Sequence, residues 1–144
     1  MKLVGSELEF ETVLLDGTVF NVKDHRGKVV LINFWGTTCG PCLREFPAMK
    51  ALYEKYHDRG YEMVAACHDS ESDLTAFLAK NPFPWSFSRI EESKKRGLRD
   101  YYAYYGIFGI PTTFLVDRDG IVRYTQVGAD DDALEREVGK LFAE

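Results

Sequence analysis

Residues 29–42 read Val29-Val-Leu-Ile-Asn-Phe-Trp35-Gly-Thr-Thr-Cys39-Gly-Pro-Cys42. The first seven are almost continuously apolar, interrupted only by the amide of Asn33. Such a run is buried on both faces and reads as a central strand of a parallel or mixed sheet. Beyond Cys42 the period changes: Phe46, Met49, Leu52, Tyr53 and Tyr56 recur at helical spacing. Pro41 is tolerated in the first helical turn, where a missing N–H leaves no bond unmade. Pro47 lies inside the helical run and is expected to kink it. The stretch therefore describes a buried strand that passes through a short loop into a helix, with two cysteines at the junction.

Outward from this unit, Gly60 ends the helix and Tyr61 to Cys67 forms the next strand. Ser70-Glu-Ser-Asp73 resembles a capping box with Asp as the acid, opening a helix through Leu78 that Pro82 and Pro84 stop. Residues 85–105 carry no clear periodicity. Thr112 to Val116 reads as a strand, Asp119-Gly120 as a turn and Ile121 to Val127 as its partner. Asp130 to Phe142 reads as an amphipathic helix. Upstream, Leu8 to Val13 and Thr18 to Val22 flank Asp16-Gly17, a strong hairpin signal. A strand–helix–strand unit followed by a hairpin and a helix predicts an α/β fold, a central mixed β-sheet flanked by helices, with an extra N-terminal β-hairpin. No repeat or linker divides the chain, so residues 1–144 are expected to form one domain.

Composition narrows the chemistry. The chain has 144 residues, 45% of them hydrophobic and 28% charged, which excludes a disordered polymer. A net charge of -5 argues against a nucleic-acid surface, which concentrates Lys and Arg. No stretch reaches the ~18 apolar residues of a membrane span. The start is too short and too charged for a signal peptide, which leaves open a tether outside this sequence.

Cys39 and Cys42 can form a disulfide or bind a metal. Structural zinc needs four ligands, usually in paired clusters. Here the third cysteine, Cys67, and His25, His57 and His68 are scattered, so no metal is expected. The redox reading fits the placement. A helix N-terminus carries about half a positive charge and unpaired N–H groups, and both stabilise a thiolate. Cys39, at the very end, is the expected N-cap and attacking thiol. Cys42, one turn in and more buried, is the expected resolving thiol.

With FWGTTCGPC at 34–42 and Gly109-Ile110-Pro111-Thr112 far downstream, the sequence resembles the thioredoxin superfamily. The opening hairpin, GKVVLINFW, CGPCLREFP and GIPTTFLVDRDGIV narrow the resemblance to the TlpA/ResA-type thiol–disulfide oxidoreductases, or redoxins, over roughly residues 5–143. The resemblance implies a thioredoxin fold, no cofactor and a cis peptide before Pro111. It implies that the Ile110 backbone faces the two sulfurs and pairs with a substrate chain as an added strand. It also implies protein thiols and disulfides as substrates, an electron-donor protein, and work outside the bacterial cytoplasm. A cytoplasmic place stays open, and a monomer is expected. Gly40 and Pro41 between the cysteines, with Ile110 before Pro111, favour a reductant.

Two departures matter. Thioredoxin itself buries an Asp six residues before its first cysteine, where this chain has Asn33. Glu45 follows Cys42 by three residues on one helix face, as in ResA-like proteins, and is expected to be partly buried with a raised pKa, managing the resolving thiol's proton. The family's usual Trp before the first cysteine is Thr38, which opens the surface around Cys39. Trp35 either covers the site or packs in the core.

Other readings stay open. A thiol peroxidase would use Thr37-Thr38-Cys39 as its approach, although a peroxidatic cysteine usually lacks a partner three residues on. A non-catalytic binding module would keep the cysteine pair only as a staple. Cys67 reads as a buried filler or a third redox thiol. Tyr101, Tyr102, Tyr104, Tyr105 and Phe108 form either core or a docking surface. Arg89, Lys94, Lys95, Arg96 and Arg99 outnumber Glu91 and Glu92 on a solvated face or one for an acidic partner.

Overall fold

Val29–Trp35 forms β3, and all seven of its residues are buried in the computed structural model, which describes residues 3–144. The strand can be so apolar because it has hydrogen-bonded neighbours on both sides and cover on both faces. β4 (Tyr61–Cys67) runs parallel to it, and β6 (Thr112–Val116) antiparallel. β5 (Ser86–Arg89) adds parallel to β4, and β7 (Val122–Val127) antiparallel to β6. The order is β5-β4-β3-β6-β7, a mixed sheet as expected.

Alternation along β3 feeds two cores. Val29, Leu31 and Trp35 face α1 (Gly40–Tyr56) and α5 (Asp131–Ala143), packing with Met49, Leu52, Leu134, Val138 and Leu141. α2 (Glu71–Lys80) adds Leu74 to this side. Val30, Ile32 and Phe34 face the other way, onto Leu8, Phe10, Phe20, Ile90 and Tyr101. The hairpin β1 (Glu11–Val13) and β2 (Val19–Asn21) forms a separate two-stranded sheet on that second face. α3 (Ile90–Lys95) and α4 (Tyr101–Tyr104) complete the layer.

The sequence expectations differ from this architecture at β5 and at the hairpin. β5 lies inside the stretch that shows no periodicity, because Ser86-Phe-Ser-Arg89 is too short and polar to register as a strand. Its pairing with β4, and a bridge from Ser88 to Leu14, supply what local pattern does not. The hairpin strands are shorter than their apolar runs, since Val22–His25 turns into a 3-10 segment capped by Asn21. α1 continues through Pro47 from Gly40 to Tyr56 as one helix. The Ser70 cap takes the expected form, its Oγ accepting from Asp73 N at 3.1 Å.

A buried hydroxyl cluster ties the hairpin to the sheet. Thr12 Oγ1 lies 2.8 Å from Ser88 Oγ and 3.0 Å from Ser93 Oγ, and Ser93 Oγ also accepts the Val13 N–H at 2.9 Å. Ser93→Ala orphans that buried donor and should cost about 1–3 kcal/mol. Denaturant unfolding will read the loss, and amide exchange at Val13 will show whether the hairpin loosens first.

Candidate active site

β3 ends at Trp35, in the middle of the sheet, and the chain leaves it there toward α1. The loop between them is pinned from below. Asp69 accepts the Thr37 N–H on Oδ2 and the Thr37 hydroxyl on Oδ1, both at 2.9 Å. This contact continues the parallel register, since Trp35 pairs with Cys67 and the next residues outward, Thr37 and Asp69, meet. Arg89 Nε donates to the Asp69 carbonyl at 3.0 Å, anchoring the clamp to β5.

Cys39 is the N-cap of α1, and its Sγ accepts from Cys42 N at 3.2 Å. Cys39 and Cys42 are joined as a disulfide with their Cα atoms 5.3 Å apart. Cys39 is half-buried, Cys42 fully buried, and Thr38, Gly40 and Pro41 are exposed. One sulfur of the pair is therefore reachable and the other is shielded.

The Gly109–Pro111 loop stands opposite. The Ile110–Pro111 peptide is cis. Thr112 Oγ1 donates to Gly109 O at 2.6 Å, and Gly128 N donates to Pro111 O at 2.7 Å. A Cβ placed on Gly36 would lie 3.2 Å from Ile110 Cδ1 and 4.0 Å from Cys39 Cβ, so the two loops close over a residue without a side chain. Between them and β4 runs an open groove lined by Gly36, Thr38, Asp69, Tyr102, Phe108 and Ile110, with Trp35 at its base. Phe108 is 87% exposed and Ile110 39%. Trp35 also packs on Phe46, Phe77 and Phe87 with ring centroids 5.0 to 5.5 Å apart, so it belongs to the core as well as to the groove.

Glu45 is fully buried, at 0% exposed, where partial burial was expected. It follows Cys42 by one turn on the inner face of α1. Its Oε2 accepts from Gln126 Nε2 at 3.1 Å and from Asp130 N at 3.3 Å, while Oε1 has no partner among the described residues. Desolvation pushes its pKa from the ordinary carboxylate range to about 7, and the carboxylates of Asp130 and Asp131 push the same way. The two hydrogen bonds oppose this and lose. Asn33 lies under the same face, donating to Thr113 Oγ1 at 3.2 Å.

Remaining candidates separate by burial. Cys67 is a free thiol at 0% exposed, and burial raises its pKa to about 12. The aromatic run divides: Tyr101 is buried, Tyr102 and Tyr105 pack against the second core, and Tyr104 and Phe108 face solvent. Among the described residues no three His, Cys, Asp or Glu side chains converge as metal ligands would. No described helix is long and apolar enough to cross a membrane. Asp69 and Gln126 escaped sequence analysis. The register of two parallel strands could have placed Asp69, whereas nothing local marks Gln126.

The redoxin family profile matches residues 4–141. The thiol-disulfide oxidoreductase ResA of Bacillus thuringiensis subsp. konkukian is 36% identical over 127 residues, 83% of this chain and 66% of the relative. ResA of Geobacillus thermodenitrificans is 37% identical over 109 residues, 76% of this chain and 60% of the relative. The chain thus spans about two-thirds or less of these curated relatives. A Chlorobium tepidum crystal structure, for which the name thiol:disulfide interchange protein DsbE has been put forward, superposes with a TM-score of 0.83 at 31% identity, covering 96% of both chains. The described architecture is the thioredoxin fold with an N-terminal hairpin.

The raised pKa of Glu45 ties stability to pH. Below pH 4.5 the group is neutral folded and unfolded. Between there and about pH 7 the unfolded chain releases its proton first, so stability falls as pH rises. The loss amounts to about 3 kcal/mol, complete once pH exceeds the folded-state pKa. Denaturant unfolding of the oxidised protein from pH 4 to 8.5 should show this slope, and Glu45→Gln should flatten it.

Proposed function

The chain belongs to the redoxin family, and from that premise we propose that it is a thiol–disulfide oxidoreductase that reduces protein disulfides through Cys39. One observation carries the reading: a disulfide between Cys39 and Cys42 at the N-terminus of α1, beside Gly36, over which Ile110 also closes. The names of the ResA relatives support the same activity.

In the reduced protein the Cys39 thiolate attacks one sulfur of a target disulfide. The target S–S bond breaks, one target sulfur leaves as a thiolate and takes a proton, and a Cys39 mixed disulfide remains. The helix dipole and the N–H groups of the first turn stabilise the attacking thiolate. Glu45, ionised, takes the proton of Cys42. Cys42 then attacks Cys39 Sγ and expels the second target thiolate. The target has gained two electrons, and Cys39–Cys42 is oxidised. A base with a pKa near 7 is matched to work near neutral pH.

The groove holds the target chain. Ile110 offers backbone hydrogen bonds to a strand laid beside it, while Phe108 and Thr38 contact its side chains and Trp35 backs the groove from the core. Gly40 and Pro41 shape the turn between the sulfurs. A second protein returns electrons to the disulfide, in an extracytoplasmic setting. The peroxidase alternative is disfavoured by the resolving thiol three residues from Cys39.

Cys39→Ser should abolish disulfide reduction, while Cys42→Ser should trap a covalent adduct through Cys39, seen by mass spectrometry. Glu45→Gln should slow release of the second product at pH 7 on the order of 10²-fold. Equilibration in graded thiol buffers should give a potential at or below roughly -220 mV; a value near -120 mV reverses the direction of the reaction.

A further inference from the structure

The Glu45 carboxyl is held asymmetrically. Both of its donors reach the same oxygen, Oε2, and Oε1 is buried without a partner among the described residues. An oxygen that receives two N–H groups acts as an acceptor, so the proton of a neutral Glu45 sits on Oε1. One donor is the backbone amide of Asp130, fixed by the start of α5. The other is a side chain, Gln126, from the edge strand β7.

Gln126 is itself oriented by three contacts. Its Nε2 donates to Gly128 O at 3.1 Å as well as to Glu45. Its Oε1 accepts from Tyr124 Oη at 2.7 Å. A carbonyl can only accept, so the Gly128 contact identifies the NH2 end and turns it toward Glu45. Gln126 pairs in register with Thr113, and Thr113 with Asn33. Three adjacent strands thus carry a buried polar row beneath α1, and Gln126 is the member that bonds Glu45.

Resting on the reading of Glu45 as the proton acceptor for Cys42, we propose that Gln126 is a positioning residue for that carboxyl. Its amide keeps Oε2 as the accepting oxygen and leaves Oε1 as the oxygen that exchanges a proton. Around Glu45 the charged groups are Asp130 and Asp131 at the start of α5, with the Tyr124 phenol on β7 and Cys42 on its own helix. Among the described residues no cation pairs with Glu45, so the Gln126 amide is the one side-chain donor that favours its ionised form.

The test is a carbon-13 NMR titration of the Glu45 carboxyl in the oxidised protein. Gln126→Leu should raise its midpoint by about one pH unit, because a hydrogen bond to a charged group is lost. Tyr124→Phe, which frees the amide to turn, should raise it less. In the unsubstituted protein the Gln126 side-chain amide resonances should titrate with the Glu45 midpoint, a readout that needs no variant and survives if Gln126→Leu fails to fold. Amide resonances that ignore that midpoint, or an unmoved Glu45 in both variants, overturn the proposal. A second readout separates it from the reading beneath it: the pH profile for release of the second glutathione after reaction with oxidised glutathione. A profile that moves with the Glu45 midpoint upholds both. A Glu45 midpoint that moves while the profile stays upholds Gln126 and overturns Glu45 as the acceptor for Cys42.

Discussion

Everything at the site depends on β3 being hydrogen-bonded along both edges and covered on both faces. That constraint removes every freedom from the strand except where it ends. With β4 parallel on one side and β6 antiparallel on the other, the chain leaves the sheet at Trp35 in a fixed direction. The loop beyond it has room for three residues before Cys39 must cap the helix. Asp69, projected from the end of β4, holds that loop by two hydrogen bonds to Thr37. Local sequence puts the disulfide at a helix N-terminus, and the strand register fixes where that N-terminus stands.

The second organising feature is a carboxyl with no charge partner among the described residues. Two hydrogen bonds to Oε2 would normally depress the pKa of Glu45, and desolvation would raise it. The rise to about 7 says that desolvation, helped by Asp130 and Asp131, is the stronger. An acid that is neutral in mild acid and ionised just above neutrality is suited to receive a thiol's proton. It is also a liability, since ionising it inside the fold weakens the fold. A neighbouring arginine would cure the liability and pull the pKa back toward the ordinary carboxylate range. The amides of Gln126 and Asp130 are a compromise, holding one oxygen while leaving the other unpartnered.

Most of this was legible from local pattern wherever pattern repeats. The apolar run of β3, the helical spacing from Phe46 to Tyr56 and the turn residues Asp16-Gly17 and Asp119-Gly120 each announce an element. Cys39, Cys42 and Glu45 are visible as a set because helix geometry alone puts them on one end and one face. β5 was not legible, because four residues with one large apolar side chain carry no period. The split of the tyrosine run was not legible either. Tyr101 and Tyr102 turn inward onto Phe10 and Phe34, which lie far away along the chain, while Tyr104 faces solvent.

The sequence by itself determined the strand–loop–helix unit, the place of the cysteine pair within it and the acid one turn beyond, because these follow from periodicities of two and 3.6 residues. Tertiary structure alone decided how deeply Glu45 is buried, which of its oxygens is held, and that Asp69 meets Thr37 and Gln126 meets Glu45. The physical reason is that burial and hydrogen-bond pairing belong to residues distant in the chain. Glu45 meets Gln126 and Asp130 only after β7 and α5 have packed against α1.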